Sequence, residues 1–223
     1  MATKHIERRL LLSVGICAAL LIIVASIFVL DRATMEHIHD MAIALPFELI
    51  VFLKILGEPT PYVIVSSFVL LFCGIVYLNT GFSFSEFRIP ARAFFIILAA
   101  ISPWLIAKIL EISFGRPLPG LYLAGGIYAF HPFKAGKDFA SFPSEHAAVA
   151  TAMATAFSIL IPAYRPTFFF LAIIISMSRL VIGLNYPGDI LAGMILGMIT
   201  VVWLNAMFDR FAIELRADKR RLR

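Results

Sequence analysis

The stretch Phe139-Ala140-Ser141-Phe142-Pro143-Ser144-Glu145-His146, running into the uncharged segment Ala147 to Ile161, is the most informative part of this chain. It reads as the start of an apolar helix. Ser144 suits the N-cap, Glu145 suits the positive end of the helix dipole, and an Ala-rich helix follows. Free backbone N–H groups at such a start also suit a phosphate. Taken alone, the segment is equally compatible with a Ser144 that only caps and a His146 that only packs.

The rest of the sequence says what solvent that helix sits in. Of 223 residues, 61% are hydrophobic and 15% charged, with a mean hydropathy of +0.94. Soluble domains hold roughly 45–50% apolar and about 25% charged residues, so a water-soluble enzyme, a disordered segment and a disulfide scaffold are all disfavoured. The chain reads as an integral membrane protein. Cys17 and Cys73 lie in apolar runs and suggest neither a disulfide nor a metal site. The net charge of +5 gathers at the ends, at Lys4, Arg8 and Arg9 and again at Arg216, Lys219, Arg220, Arg221 and Arg223. Membrane orientation explains these ends better than nucleic acid, and no nucleic-acid partner is expected.

Six spans are expected, at about 10–30, 62–78, 91–110, 146–161, 167–182 and 189–208, within a single domain. Met41 to Leu56 is shorter, holds Pro46 and carries Glu48 and Lys54, which suits an interfacial or re-entrant helix. Six spans put both basic ends on one side, and the positive-inside tendency makes that side the cytoplasm. The segments 31–61, 111–145 and 183–188 then share the opposite face. A bacterial inner membrane, with that face toward the periplasm, is the expected location.

Polar residues at the mouths of membrane helices are costly, which makes them candidates for function. Three groups fall on that outer face: Lys108, Glu111 and Arg116; Ser144, Glu145 and His146; and Ser178-Arg179 through Asn185 to Asp189. Arg179, near the end of an apolar helix, either snorkels to the interface or pairs with an anion. Asp189 also suits a plain first-turn residue.

Together these motifs resemble the type 2 phosphatidic acid phosphatase (PAP2) superfamily, over about 91–208. Residues Phe139 to His146 look like its Pro-Ser-Gly-His motif with its lead-in. Ser178-Arg179 to Asn185-Tyr186-Pro187-Gly188-Asp189 is similar to its motif Ser-Arg, five residues, His, three residues, Asp. The resemblance implies an all-α, six-transmembrane-helix bundle that handles the phosphate or pyrophosphate head of a lipid without a metal or other cofactor. A metal site from Glu145, His146, Asp189 and His131 has no recognised ligand spacing.

The departures from the family pattern fall on the chemistry. Asn185 stands where the resemblance places the nucleophilic His that forms a phosphohistidine, with Asp189 as its orienting residue. A carboxamide does not attack phosphorus. His146 keeps the place of the family's leaving-group acid, while Glu145 replaces a glycine that lets the backbone approach phosphate. The first motif aligns in two ways. In one, Arg116-Pro117 matches Arg-Pro and Lys108 falls one residue too far upstream. In the slightly preferred other, Phe114-Gly115-Arg116 fits, Leu118 takes the Arg position and Glu111 the Lys position.

The candidate catalytic residues are therefore Glu145, His146, Asp189 and Asn185, and the candidate phosphate ligands are Arg116, Ser144, Arg179, Lys108 and Lys134, with Lys137 and His131 nearby. The favoured expectation is a repurposed transferase, in which Glu145 or His146 is general base and a sugar or phosphoryl group passes directly from a lipid carrier to an acceptor. The alternatives are an inactive lipid-phosphate binder, transporter or partner protein, and a phosphatase whose nucleophile position is substituted. Expected partners are membrane lipid and a lipid-linked phosphate, polyprenyl-linked or phospholipid. The run Phe168-Phe169-Phe170 suits either lipid-facing or packed helix surface, with contact to an acyl tail as the alternative.

Overall fold

The structure is a computed structural model that describes residues 14–15, 17–41, 46–81, 88–134, 136–211, 213 and 215. The basic residues Lys4, Arg8, Arg9, Arg216, Lys219, Arg220, Arg221 and Arg223, the start of the first expected span at 10–13, and parts of two connections at 42–45 and 82–87 lie outside the described residues.

The regular elements among the described residues are all helical, with no strand among them. Five helical stretches are long and apolar enough to cross a membrane: Cys17–His39, Thr60–Thr80, Ile89–Gly125, Pro162–Val181 and Pro187–Arg210. Within them lie α1 (Asp31–Met41), entered through a π-helical turn at Ser26–Leu30, α3 (Thr60–Thr80), α4 (Ile89–Phe114), α5 (Pro119–Gly125), α7 (Arg165–Val181) and α8 (Pro187–Arg210). α2 (Phe47–Leu56) lies between α1 and α3, and α6 (Glu145–Leu160) between α5 and α7. α2 has ten residues and reaches only about 15 Å, half the hydrocarbon thickness. The first helix runs on past Leu30, so residues 31–41, expected in an outer connection, are helical instead.

α6 is the centre of the bundle. Its 16 residues are short for a span, and Ala147 to Ala156 are buried along the whole helix. A helix hydrophobic all round belongs inside a bundle, and small side chains let neighbours come close. α8 comes closest. A Cβ on Gly193 would sit 2.3 Å from the Ser144 carbonyl oxygen, and one on Gly197 would sit 2.1 Å from that of Ala148. On the other side, Phe95, Ala99 and Ala100 of α4 and Val201, Leu204 and Phe208 of α8 pack with Val149, Ala152 and Met153. A second cluster joins Leu53 of α2 to Ala150 and Ala154 of α6 and Ala172 and Ile175 of α7. Phe168 and Phe169 pack against that cluster, while Phe170 faces outward. Large apolar side chains such as Leu21, Phe28, Phe68 and Trp203 are exposed, as a lipid-facing belt requires.

Candidate functional site

Cavity and buried network meet at one end of the bundle, and the turn after α4 sets their geometry. Gly115 ends α4 with φ +56°, and a Cβ there would lie 1.8 Å from the His131 carbonyl oxygen. The His131 N–H donates to the Gly115 carbonyl at 2.9 Å. Only glycine fits that turn, which directs Arg116 inward.

Arg116 is fully buried. Its Nη2 donates to Asp31 Oδ2 at 2.7 Å and to the Tyr128 hydroxyl at 2.8 Å, while Nη1 donates to Asp189 Oδ1. Asp31 also accepts from Ser26 Oγ at 3.0 Å and from the Gly188 N–H at 2.8 Å. Asp189 also accepts from Ser141 Oγ and, at 2.8 Å, from the Tyr186 N–H. Tyr186 lies over the guanidinium, with its ring centroid 4.2 Å from Arg116 Cζ, and burial raises its hydroxyl above the ordinary phenol range, so it stays protonated. Arg116 and Asp189 are thus committed to each other. Both terminal nitrogens of Arg116, expected to hold substrate phosphate, are taken by protein acceptors, and the side chain does not line the cavity.

Asn185 is held between that network and the cavity. Its Nδ2 donates to the Ser141 carbonyl at 2.7 Å, and its Oδ1 accepts from Ser144 Oγ at 3.1 Å. Ser144 caps α6, its Oγ accepting from the Ala147 N–H at 3.4 Å, and its own N–H donates to the Asp189 carbonyl at 3.0 Å. It stands behind the cavity wall rather than on it. Lys134 is exposed, does not line the cavity, and sits over the Phe139 ring at 3.7 Å. Asp189, expected among the catalytic residues, is likewise off the cavity wall.

The cavity has a volume of ≈ 380 Å³. Of the expected residues it brings together Lys108, Glu145, His146, Arg179 and Asn185; it adds Glu111, Leu118 and Lys137, and Lys54 and Glu58 from α2 and the turn after it. Lys54 and Glu58 were not among the candidates. Their signal was present, as a lysine in an apolar segment too short to span with a glutamate four residues on. Asp31 was missed as well, because it looked like the first residue of a loop.

Three carboxylates and four cationic side chains line the cavity. Lys108 Nζ lies 3.0 Å from Glu111 and 2.6 Å from Glu145. Lys54 lies 3.8 Å from Glu58. His146 is 4% exposed, with Nδ1 3.6 Å from Glu145 Oε1 and Nε2 4.0 Å from Glu58 Oε1. Neither ring nitrogen has a hydrogen-bond partner among the described residues, and neither does Arg179 Nε. Buried donors left in this way are suited to an incoming anion. Among the described residues no group of three or more His, Cys, Asp or Glu is arranged to hold a metal.

The sequence profile of the PAP2 superfamily matches residues 91–212. The chain belongs to the PAP2 superfamily. Within curated PAP2 relatives, it is 34% identical over 103 residues to a lipid A 1-phosphatase of Rhizobium johnstonii, covering 46% of this chain and 42% of that one. It is 38% identical over 93 residues to a lipid A 1-phosphatase of Rhizobium etli, covering 42% and 40%. The match thus spans about two fifths of those relatives' length. In fold, it is similar to a transmembrane PAP2 type phosphatidylglycerolphosphate phosphatase from Bacillus subtilis, with a TM-score of 0.54 and 16% identity over 87% of this chain and 96% of that one. The PAP2 match covers α4 to α8, so α2, with Lys54, approaches the cavity from outside the matched region.

Proposed function

We propose that this chain receives the phosphate head of a membrane lipid in the cavity and does not process it through a phosphohistidine. The observation that carries this reading is Arg179, whose Nε faces no protein acceptor on a wall shared with His146, Lys54, Lys108 and Lys137. A guanidinium with no carboxylate within ion-pair distance among the described residues, beside an unpartnered imidazole, suits phosphate oxygens. The phosphorylated lipid in the names of the curated relatives supports a lipid phosphate as the occupant. Both amide ends of Asn185 are engaged, and a carboxamide has no lone pair basic enough to displace an alkoxide at phosphorus. Glu111 and Leu118 lie on the cavity while Arg116 does not. That favours the alignment in which the first motif has lost both its cations. In this reading the cavity opens on the outer face of a bacterial inner membrane.

A second reading, direct transfer, is favoured by the approach of Glu145 to His146 at 3.6 Å, with Lys108 at 2.6 Å from Glu145. There an acceptor hydroxyl gives its proton to Glu145 or His146 as its oxygen attacks the lipid-linked group, and the carrier oxygen departs. Full-length protein in nanodiscs, titrated with phosphatidic acid in the presence of an acceptor alcohol and followed for release of diacylglycerol, which leaves whether its phosphoryl group goes to the acceptor or to water, separates the two. Binding without release, lost in Arg179→Ala and kept in Glu145→Gln, supports the receptor. Turnover abolished by Glu145→Gln overturns it in favour of transfer.

A further inference from the structure

The charges on the cavity wall do not cancel locally. Lys108 is shared by two carboxylates, Glu111 at 3.0 Å and Glu145 at 2.6 Å, so the two have one ion-paired cation between them. Arg179 has no carboxylate within ion-pair distance among the described residues, and Glu145, Glu58 and Glu111 act on it only from farther off. Lys54 and Glu58 offset one another, and Lys137 is exposed to solvent. An excess charge of either sign next to a buried wall is costly, and a ligand that supplies the opposite sign at each place relieves both costs.

We infer that the cavity takes a zwitterionic head, a phosphate carrying a primary ammonium a few bonds away, with the phosphate on Arg179 and His146 and the ammonium on Glu111 and Glu145. This rests on the lipid-phosphate reading above and narrows its substrate class. His146, buried with both ring nitrogens unpartnered, offers a second polar group to an occupant of the cavity. Glu111 is 3% exposed, too well buried to serve as a solvated surface charge. A purely anionic head would leave the Glu111 and Glu145 pair facing the phosphate with one lysine between them, and like charges at such range repel. A primary ammonium has three N–H donors for carboxylate oxygens, whereas a quaternary one has none.

The test is native mass spectrometry of the detergent-solubilised full chain with phosphatidylethanolamine, phosphatidic acid and phosphatidylcholine of matched acyl chains. Phosphatidylethanolamine is expected to bind at least about tenfold tighter than either, the discrimination of one charge-assisted pair. In Glu145→Gln that preference over phosphatidic acid is expected to disappear while phosphatidic acid still binds. Soluble O-phosphoethanolamine distinguishes the head from the lipid: competition by it at millimolar level, with none from glycerol 3-phosphate, assigns recognition to the head itself. Equal or tighter binding of phosphatidic acid by the unaltered chain overturns the zwitterion inference and leaves the lipid-phosphate reading standing. No binding of any of the three overturns both. Should Glu145→Gln fail to fold, the lipid comparison on the unaltered chain and the soluble competitors still decide.

Discussion

Arg116 and Asp189, 73 residues apart in sequence, form an ion pair in which both side chains are fully buried. With Asp31 on the other side of the guanidinium, the pair joins the first helix, the turn after α4 and the start of α8. A buried arginine between two carboxylates is stable only as a complete set, because each member is the compensation for the others.

Replacing Arg116 by Ala is therefore expected to cost about 3–5 kcal/mol of stability, since it strands two buried carboxylates. Arg116→Lys is expected to recover little, as an ammonium cannot present a planar fork to Asp31 and Asp189 at once. Thermal unfolding in detergent measures both. A wild-type melting temperature in Arg116→Ala would show that the network is not structural.

Arg179→Ala is expected to behave in the opposite way. It removes a guanidinium whose Nε has no partner, so the melting temperature should hold, while phosphatidic acid binding falls by about tenfold or more. Isothermal titration in nanodiscs reads the second effect, and unchanged affinity would place the phosphate elsewhere.

Asn185→His places a histidine where the sequence resemblance expects the family's nucleophile, and it is expected to release no phosphate from phosphatidic acid. Glu145 and Glu111 still present carboxylates to the cavity, and Leu118 still offers no charge. The combined variant Asn185→His, Glu145→Gly, Glu111→Lys, Leu118→Arg is expected to release phosphate, which a malachite green assay detects. Release by the single variant would mean that a histidine at position 185 is sufficient for phosphate release.

Gly115→Ala is expected to be destabilising by about 1–3 kcal/mol from its left-handed backbone alone, with a further cost from the His131 carbonyl at 1.8 Å from the new Cβ. Gly81 also has a positive φ, but no atom lies within 4 Å of where a Cβ would sit. Gly81→Ala should therefore cost less, and urea unfolding of the two variants compares them.

Much of this chain was legible without coordinates. Apolar runs of span length, broken by Pro, Gly and charge, announce membrane helices because lipid tolerates no unpaired backbone. The helix start at Ser144 and the cluster from Arg179 to Asp189 were readable for a related reason: polar groups in an apolar chain are few and stand out. Lys108, Glu145, His146, Arg179 and Asn185 were named from the sequence and share one cavity.

Which charge meets which was decided only by the tertiary structure. Arg116 and Arg179 look alike in the sequence, both cationic and near a helix end. One is enclosed by Asp31 and Asp189 from distant segments and acts as a structural tie, and the other lines the cavity with no carboxylate within ion-pair distance among the described residues. Lys54 and Glu58 gained a place beside the site because Leu53 packs on α6 and α7. The sequence by itself determined that polar groups would gather at helix mouths, because burying them singly is too costly. Long-range packing chose the partners, since the strength of a charge interaction depends on distance and burial, and neither is encoded locally.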